Sequence, residues 1–198
     1  MVAGPEQLAA EVGAQILREG GNAVDAAVAT GFALAVTYPR AGNLGGGGFM
    51  LIHLAEENRQ TLIDYRETAP AAATRDMFLD AQGNLDHDKE YFSLQAAGVP
   101  GTVAGLLYAL EKYGTLSRER VLAPAIALAA QGLTVSFGLH YEINAGAEQL
   151  RKNPAAARLF FRVDGSPYAM GHTWQQPDLA WTLGQISARG KDGFYTGE

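Results

Sequence analysis

Along the first forty positions apolar residues recur at helical spacing, and after Gly42 they change to short unbroken runs of the kind that form strands. Leu8, Val12 and Ile16 follow Pro5, which suits a first turn, and Gly20-Gly21 stops the run, so an amphipathic surface helix is predicted. Asn22 then offers an N-cap with Asp25 three residues on, a variant of the capping box. The helix it opens carries Val24, Ala27, Val28, Gly31, Phe32 and Leu34; apolar on nearly every face, it should be buried. Pro39 ends it by pushing the preceding residue out of helical geometry.

Four consecutive glycines, Gly45 to Gly48, come next within Gly42-Asn43-Leu44-Gly45-Gly46-Gly47-Gly48-Phe49-Met50. A flexible linker would dilute glycine with serine or charge. Here the run passes straight into Phe49–Leu54, so the glycines belong to a packed region. Phe49–Leu54 reads as a strand, Glu56-Glu57-Asn58-Arg59 as a turn and Thr61–Tyr65 as a returning strand, an antiparallel hairpin at about 49–66. The unbroken apolar first strand predicts cover on both faces.

Beyond Pro70, residues 71–78 read as a short helix and residues 80–90 as an exposed polar loop with a turn at Gly83-Asn84. A helix is predicted over 103–113 with Leu106, Leu107 and Leu110 on one stripe. A second, capped by Ser117 and running to Gly132, should pair with it as a helical hairpin. Further helices are expected over 136–151 and 177–188, with a short strand at Phe160-Phe161-Arg162-Val163 before a turn at Asp164-Gly165. No internal repeat or domain linker interrupts this order, and the chain reads as one α+β domain.

Composition narrows the function classes. With 47% hydrophobic and 18% charged residues in 198, the chain is an ordered globular one. Its formal net charge of -6 leaves no basic footprint for nucleic acid or for an acidic membrane surface. There is no cysteine, which excludes disulfide and thiolate chemistry. His53, His87, His140 and His172 lack the short spacing of metal ligands, so no metal is expected. The longest apolar run, Ala23 to Thr37, contains Asp25 and falls short of the roughly 20 residues a bilayer-spanning helix needs. Met1 to Pro5 show neither the basic nor the apolar region of a signal peptide.

The glycine run invites a phosphate-binding reading and fails it. A P-loop requires Gly-Lys-Ser/Thr after its spacer, but Gly47 is followed by Gly48 and Phe49. A dinucleotide fingerprint follows a strand and opens a helix; this run follows a helix and opens a strand. No cofactor is therefore expected. Ser93, Ser117, Ser136, Ser166 and Ser187 lack a nucleophile elbow. The acidic pairs Glu56-Glu57 and Asp86/Asp88 lie in polar turns, where solvation is their ordinary role, and Asn22 and Asp25 read as caps.

Arg66 is the single candidate for function. Its planar fork can hold a carboxylate by two parallel hydrogen bonds at the end of a strand beside a permissive glycine loop. From chemistry alone, a structural ion pair with Asp64, Glu67 or a distant acid is the commoner role of such an arginine.

Four segments together resemble the start of the large subunit of gamma-glutamyltranspeptidase, also called glutathione hydrolase. They are Gly20-Gly21-Asn22-Ala23-Val24-Asp25-Ala26-Ala27, the run from Gly42 to Met50, Asp64-Tyr65-Arg66-Glu67-Thr68-Ala69-Pro70, and Gly98-Val99-Pro100-Gly101-Thr102-Val103-Ala104-Gly105. Weaker similarity continues to Asp192-Gly193-Phe194-Tyr195-Thr196-Gly197. The resemblance implies an N-terminal-nucleophile (Ntn) hydrolase with a four-layer αββα sandwich, of which residues 1–198 form the N-terminal portion as a single, incomplete domain. It implies a precursor that cuts itself into two subunits and a threonine at the start of the small subunit that attacks gamma-glutamyl carbonyls. Arg66 falls on the arginine that binds the substrate α-carboxylate, and Tyr65 stands where the family usually has phenylalanine.

The family's Thr-Thr-His segment is missing, and His172-Thr173 has the wrong order. No catalytic residue is therefore expected in this chain, which looks like a piece of the large subunit and, alone, inactive. The implied partners are glutathione and other gamma-glutamyl compounds, amino-acid or peptide acceptors, and the small subunit; the implied compartment is extracytoplasmic. A cephalosporin acylase or a poly-gamma-glutamate-processing relative shares the glycine segment and stays open as an alternative, as does a non-catalytic carboxylate-binding fragment. Without further strands, the apolar face of the hairpin should be exposed and prone to association.

Overall fold

The computed structural model describes residues 1–197. Its helices are, in chain order, α1 (Gln7–Arg18), α2 (Ala23–Thr37), α3 (His87–Phe92), α4 (Thr102–Tyr113) and α5 (Arg118–Gln131). They continue with α6 (Phe137–Ala145), α7 (Ala147–Lys152), α8 (Pro154–Phe160), α9 (Pro177–Arg189) and α10 (Asp192–Tyr195). The strands are β1 (Phe49–Leu54), β2 (Arg59–Asp64), β3 (Leu133–Thr134) and β4 (Thr173–Trp174). The described residues form two compact units, one of residues 1–43 with 109–197 and one of residues 44–108.

In the first unit α2 is the central rod, packed against α1 and α5, while α5 also packs on α9. Val28, Phe32, Ala33 and Val36 are fully buried, as the all-round apolar pattern predicts. The capping box at its start is complete. Asn22 accepts from the Val24 and Asp25 N–H groups, and Asp25 accepts from the Asn22 N–H at 2.8 Å. Asp25 does more than cap. Its carboxylate, fully buried, also accepts from the Thr115 N–H (2.9 Å), the Thr115 hydroxyl (2.7 Å) and the Leu116 N–H (3.2 Å).

One small sheet of this unit escaped the sequence pattern. Leu133 pairs with Trp174 and Thr134 with Thr173. Trp174 is completely buried, stacks on Phe160 at 5.4 Å and donates its indole N–H to the Leu159 carbonyl at 2.9 Å. Phe160 is therefore helical, and Phe161 alone bridges to Pro167 across the turn, where Gly165 takes a φ of 77°. The helix expected over 136–151 divides into α6 and α7 at Gly146.

The second unit is built on the β1–β2 hairpin, with Phe49 opposite Asp64, Leu51 opposite Leu62 and Leu54 opposite Arg59. Arg59, expected in the turn, opens β2, and Asn58 turns the corner with a φ of 44°. Residues 71–78 form turns instead of a helix, because so short a segment with no apolar stripe cannot offset the cost of nucleation. The polar stretch after them is ordered. Asp80 accepts from the Gln82 and Asn84 N–H groups and Asp86 caps α3.

The expected cover on both faces of β1 is not found. Phe49 is 56% exposed, Leu51 69% and Leu62 on β2 60%, while Ile52 is buried. The α+β class and the hairpin stand as read from sequence. Of the expected sandwich, the described residues hold this two-stranded sheet and the smaller β3–β4 pair.

Candidate functional site

Arg66 follows β2 directly and is exposed. Its backbone N–H donates to the Asp64 carboxylate at 3.0 Å, a local turn contact. Among the described residues the Arg66 side chain enters no ion pair, so the pairing with Asp64 or Glu67 that chemistry alone favoured is not formed.

The backbone that carries it is fixed from both sides by glycine. Gly48 and Tyr65 exchange hydrogen bonds of 3.4 and 3.0 Å, which extends the hairpin ladder by one pair. A Cβ at Gly47 would lie 2.5 Å from the Tyr65 carbonyl oxygen and 2.8 Å from the Arg66 Cα and the Glu67 nitrogen, closer than any side chain tolerates. From the other side a Cβ at Gly98 would lie 2.9 Å from that of Glu67. A Cβ at Gly101 would overlap the Tyr65 carbonyl oxygen, and one at Gly105 the Tyr65 side chain. Val99 and Thr68 form a reciprocal bridge of 2.8 and 3.3 Å. Two glycine-rich segments about fifty residues apart thus close on Tyr65-Arg66-Glu67.

The glycine run therefore serves backbone approach. The Gly46 carbonyl accepts the N–H groups of Gly101 and Thr102, at 2.8 and 3.0 Å, which ties the run to the start of α4. Tyr65 is half-buried, its ring packed by Gly48 and Gly105, and burial raises its phenol above the ordinary tyrosine range, so it stays neutral at pH 7.

Sequence reasoning found Arg66 and the Gly45–Gly48 run but not the part played by Gly98, Gly101 and Gly105. The signal was there: glycines three and four apart at a helix start are costly for the helix and need a close neighbour to justify them. Among the described residues no group of three or more His, Asp or Glu is set to hold a metal ion, and no helix is long and apolar enough to cross a membrane.

The model of the family described as gamma-glutamyltranspeptidase matches residues 9–198. The chain belongs to the gamma-glutamyltranspeptidase family. It is 50% identical over 197 residues to the glutathione hydrolase proenzyme of Escherichia coli K12, and 48% identical over 198 residues to that of Pseudomonas sp. A14. Both matches cover 100% of this chain and 34% of the relative, so the chain spans about a third of the length of these gamma-glutamyltranspeptidase relatives. The crystal structure of Helicobacter pylori gamma-glutamyltranspeptidase superposes with a TM-score of 0.97 at 45% identity, over 100% of this chain and 56% of that one. The helix-rich fold with small antiparallel sheets is that of the gamma-glutamyltranspeptidase Ntn-hydrolases over this length.

Proposed function

We propose that these residues belong to a protein that transfers or hydrolyses gamma-glutamyl groups, with glutathione among its substrates and Arg66 as the ligand of the substrate α-carboxylate. The observation that carries the reading is an exposed arginine, in no ion pair among the described residues, on a backbone clamped by glycines in a member of the gamma-glutamyltranspeptidase family. A guanidinium held at a fixed point meets a carboxylate bidentately, and binding energy gained at that remote group can orient the gamma-carbonyl for attack.

The attacking group in this reading is a threonine hydroxyl outside residues 1–198, at the start of a small subunit cut from the same precursor. Its own α-amine takes the hydroxyl proton, the C–N bond of the gamma-glutamyl amide breaks, and that proton leaves with the amine. Water, an amino acid or a peptide then attacks the acyl-enzyme ester and regenerates the threonine. No cofactor enters. Residues 1–198 are on this reading the N-terminal portion of a single larger domain, and family membership supports a place outside the cytoplasm.

The test is Arg66→Lys in the complete protein assayed with a gamma-glutamyl anilide. A point charge replacing a fork should raise KM by about tenfold or more with a much smaller change in kcat. An unchanged KM overturns the assignment. The intact-mass spectrum of the same preparation should show a second polypeptide that begins with threonine.

A further inference from the structure

Among the described residues the Arg66 side chain enters no ion pair, and the residue beside it, Tyr65, is the side chain whose packing helps to fix the Arg66 backbone. Tyr65 has one exposed neighbour on each side in sequence, yet is itself half-buried; Gly101 packs its carbonyl and Gly105 its ring at distances no other residue allows, and Gly48 lies close against the ring. Its ring rests on Gly105, in the second turn of α4, and on Gly48, whose added Cβ would sit 3.1 Å from the ring. Its carbonyl accepts from Gly48 and faces Gly101. Among the described residues no hydrogen bond involves its hydroxyl, and the contact is made by the ring as a shape.

We propose that Tyr65 is a positioning residue for substrate recognition: its ring, wedged between Gly48 and Gly105 of α4, sets the point from which the Arg66 guanidinium meets the substrate carboxylate. This rests on the reading of Arg66 given above. The hinge is mechanical. A side chain docked against a helix fixes the Cα–Cβ direction from which the next residue extends, whereas an undocked one lets that origin vary and lowers the fraction of enzyme ready to bind. Gly105 is the other half of the wedge, because any Cβ there meets the Tyr65 Cβ, Cγ and Cδ1 atoms.

The experiment is a double-mutant cycle in the complete protein, with Tyr65→Ala and Arg66→Ala singly and together, and with the gamma-glutamyl anilide and its α-carboxamide analogue as probes. Tyr65→Ala should raise KM for the carboxylate substrate by about tenfold while kcat changes by no more than about threefold, and should leave the carboxamide nearly unaffected. In the Arg66→Ala background it should add nothing, since coupled residues lose their effect together. Tyr65→Phe, which keeps the ring, should restore KM to within about twofold of the parent.

An equal effect of Tyr65→Ala in both backgrounds, or an equal effect on both probes, would mean a general structural role and overturns the proposal. If Arg66→Ala itself leaves KM unchanged, it is the Arg66 reading that falls. Should Tyr65→Ala fail to fold, Tyr65→Leu carries the same cycle, and Gly105→Ala approaches the wedge from α4 with the same expected rise in KM and the same silence on the carboxamide.

Discussion

Asp25 is a fully buried carboxylate that ties the start of α2 to Thr115 and Leu116. Burial alone would push its carboxyl up, and that is the largest single influence; the Thr115 hydroxyl and the Asn22, Thr115 and Leu116 N–H groups together outweigh it and hold the carboxyl below the ordinary aspartate range. A depressed folded value means that the ionised group stabilises the fold above its unfolded pKa, about 3.9, and that this contribution is lost as pH falls through the folded value. Asp25→Asn turns donors against donors and should cost about 3 kcal/mol at pH 7. It should also flatten the acid limb of stability below about pH 4, measured by urea unfolding across pH. Had the limb kept its slope in the variant, other carboxylates would be responsible. The sequence marked Asp25 as a cap and no more. Its bonds to Thr115 and Leu116 join positions some ninety residues apart, which no local pattern encodes.

At the scale of elements, caps recognised from sequence differ in worth according to what the tertiary structure adds. Ser117 at the start of α5 accepts one bond, from the Arg120 N–H at 3.3 Å. Asn22 accepts two and donates a third, 2.7 Å, to the Tyr113 carbonyl. Ser117→Ala should therefore cost about 1 kcal/mol and Asn22→Ala about 2 kcal/mol or more, read as shifts in the unfolding midpoint at constant m-value. Equal losses would mean that the Tyr113 contact contributes nothing. The same contrast explains the elements that were misread. Residues 71–78 have helix-forming alanines but no apolar stripe, and residues 133–134 and 173–174 are too short for periodicity yet are held by a buried tryptophan.

For the whole molecule, the exposed apolar face of the hairpin matters most. Phe49, Leu51 and Leu62 lie on one face of a two-stranded sheet, an arrangement that promotes association when left uncovered. Residues 1–198 prepared alone should self-associate in light scattering, and Leu51→Lys with Leu62→Lys should shift the material towards monomer while preserving its helical circular dichroism. A monomeric parent at micromolar concentration would show that the face is satisfied within the chain. The chain spans 34% of its glutathione hydrolase relatives, and Arg66 lies in the same 44–108 unit as this face.

The sequence by itself determined the elements whose signals are local: the periodic stripe of α1, the capping box and all-apolar surface of α2, the hairpin and the end of α2 before Pro39. It also singled out Arg66, because a strand end beside four glycines is visible in a window of twenty residues. What only the tertiary structure decided is whether that arginine is paired, and why the glycines are there. Gly47, Gly98, Gly101 and Gly105 are drawn together by backbone approach to Tyr65-Arg66-Glu67, and a missing Cβ gives no sign in sequence of which distant chain fills its place.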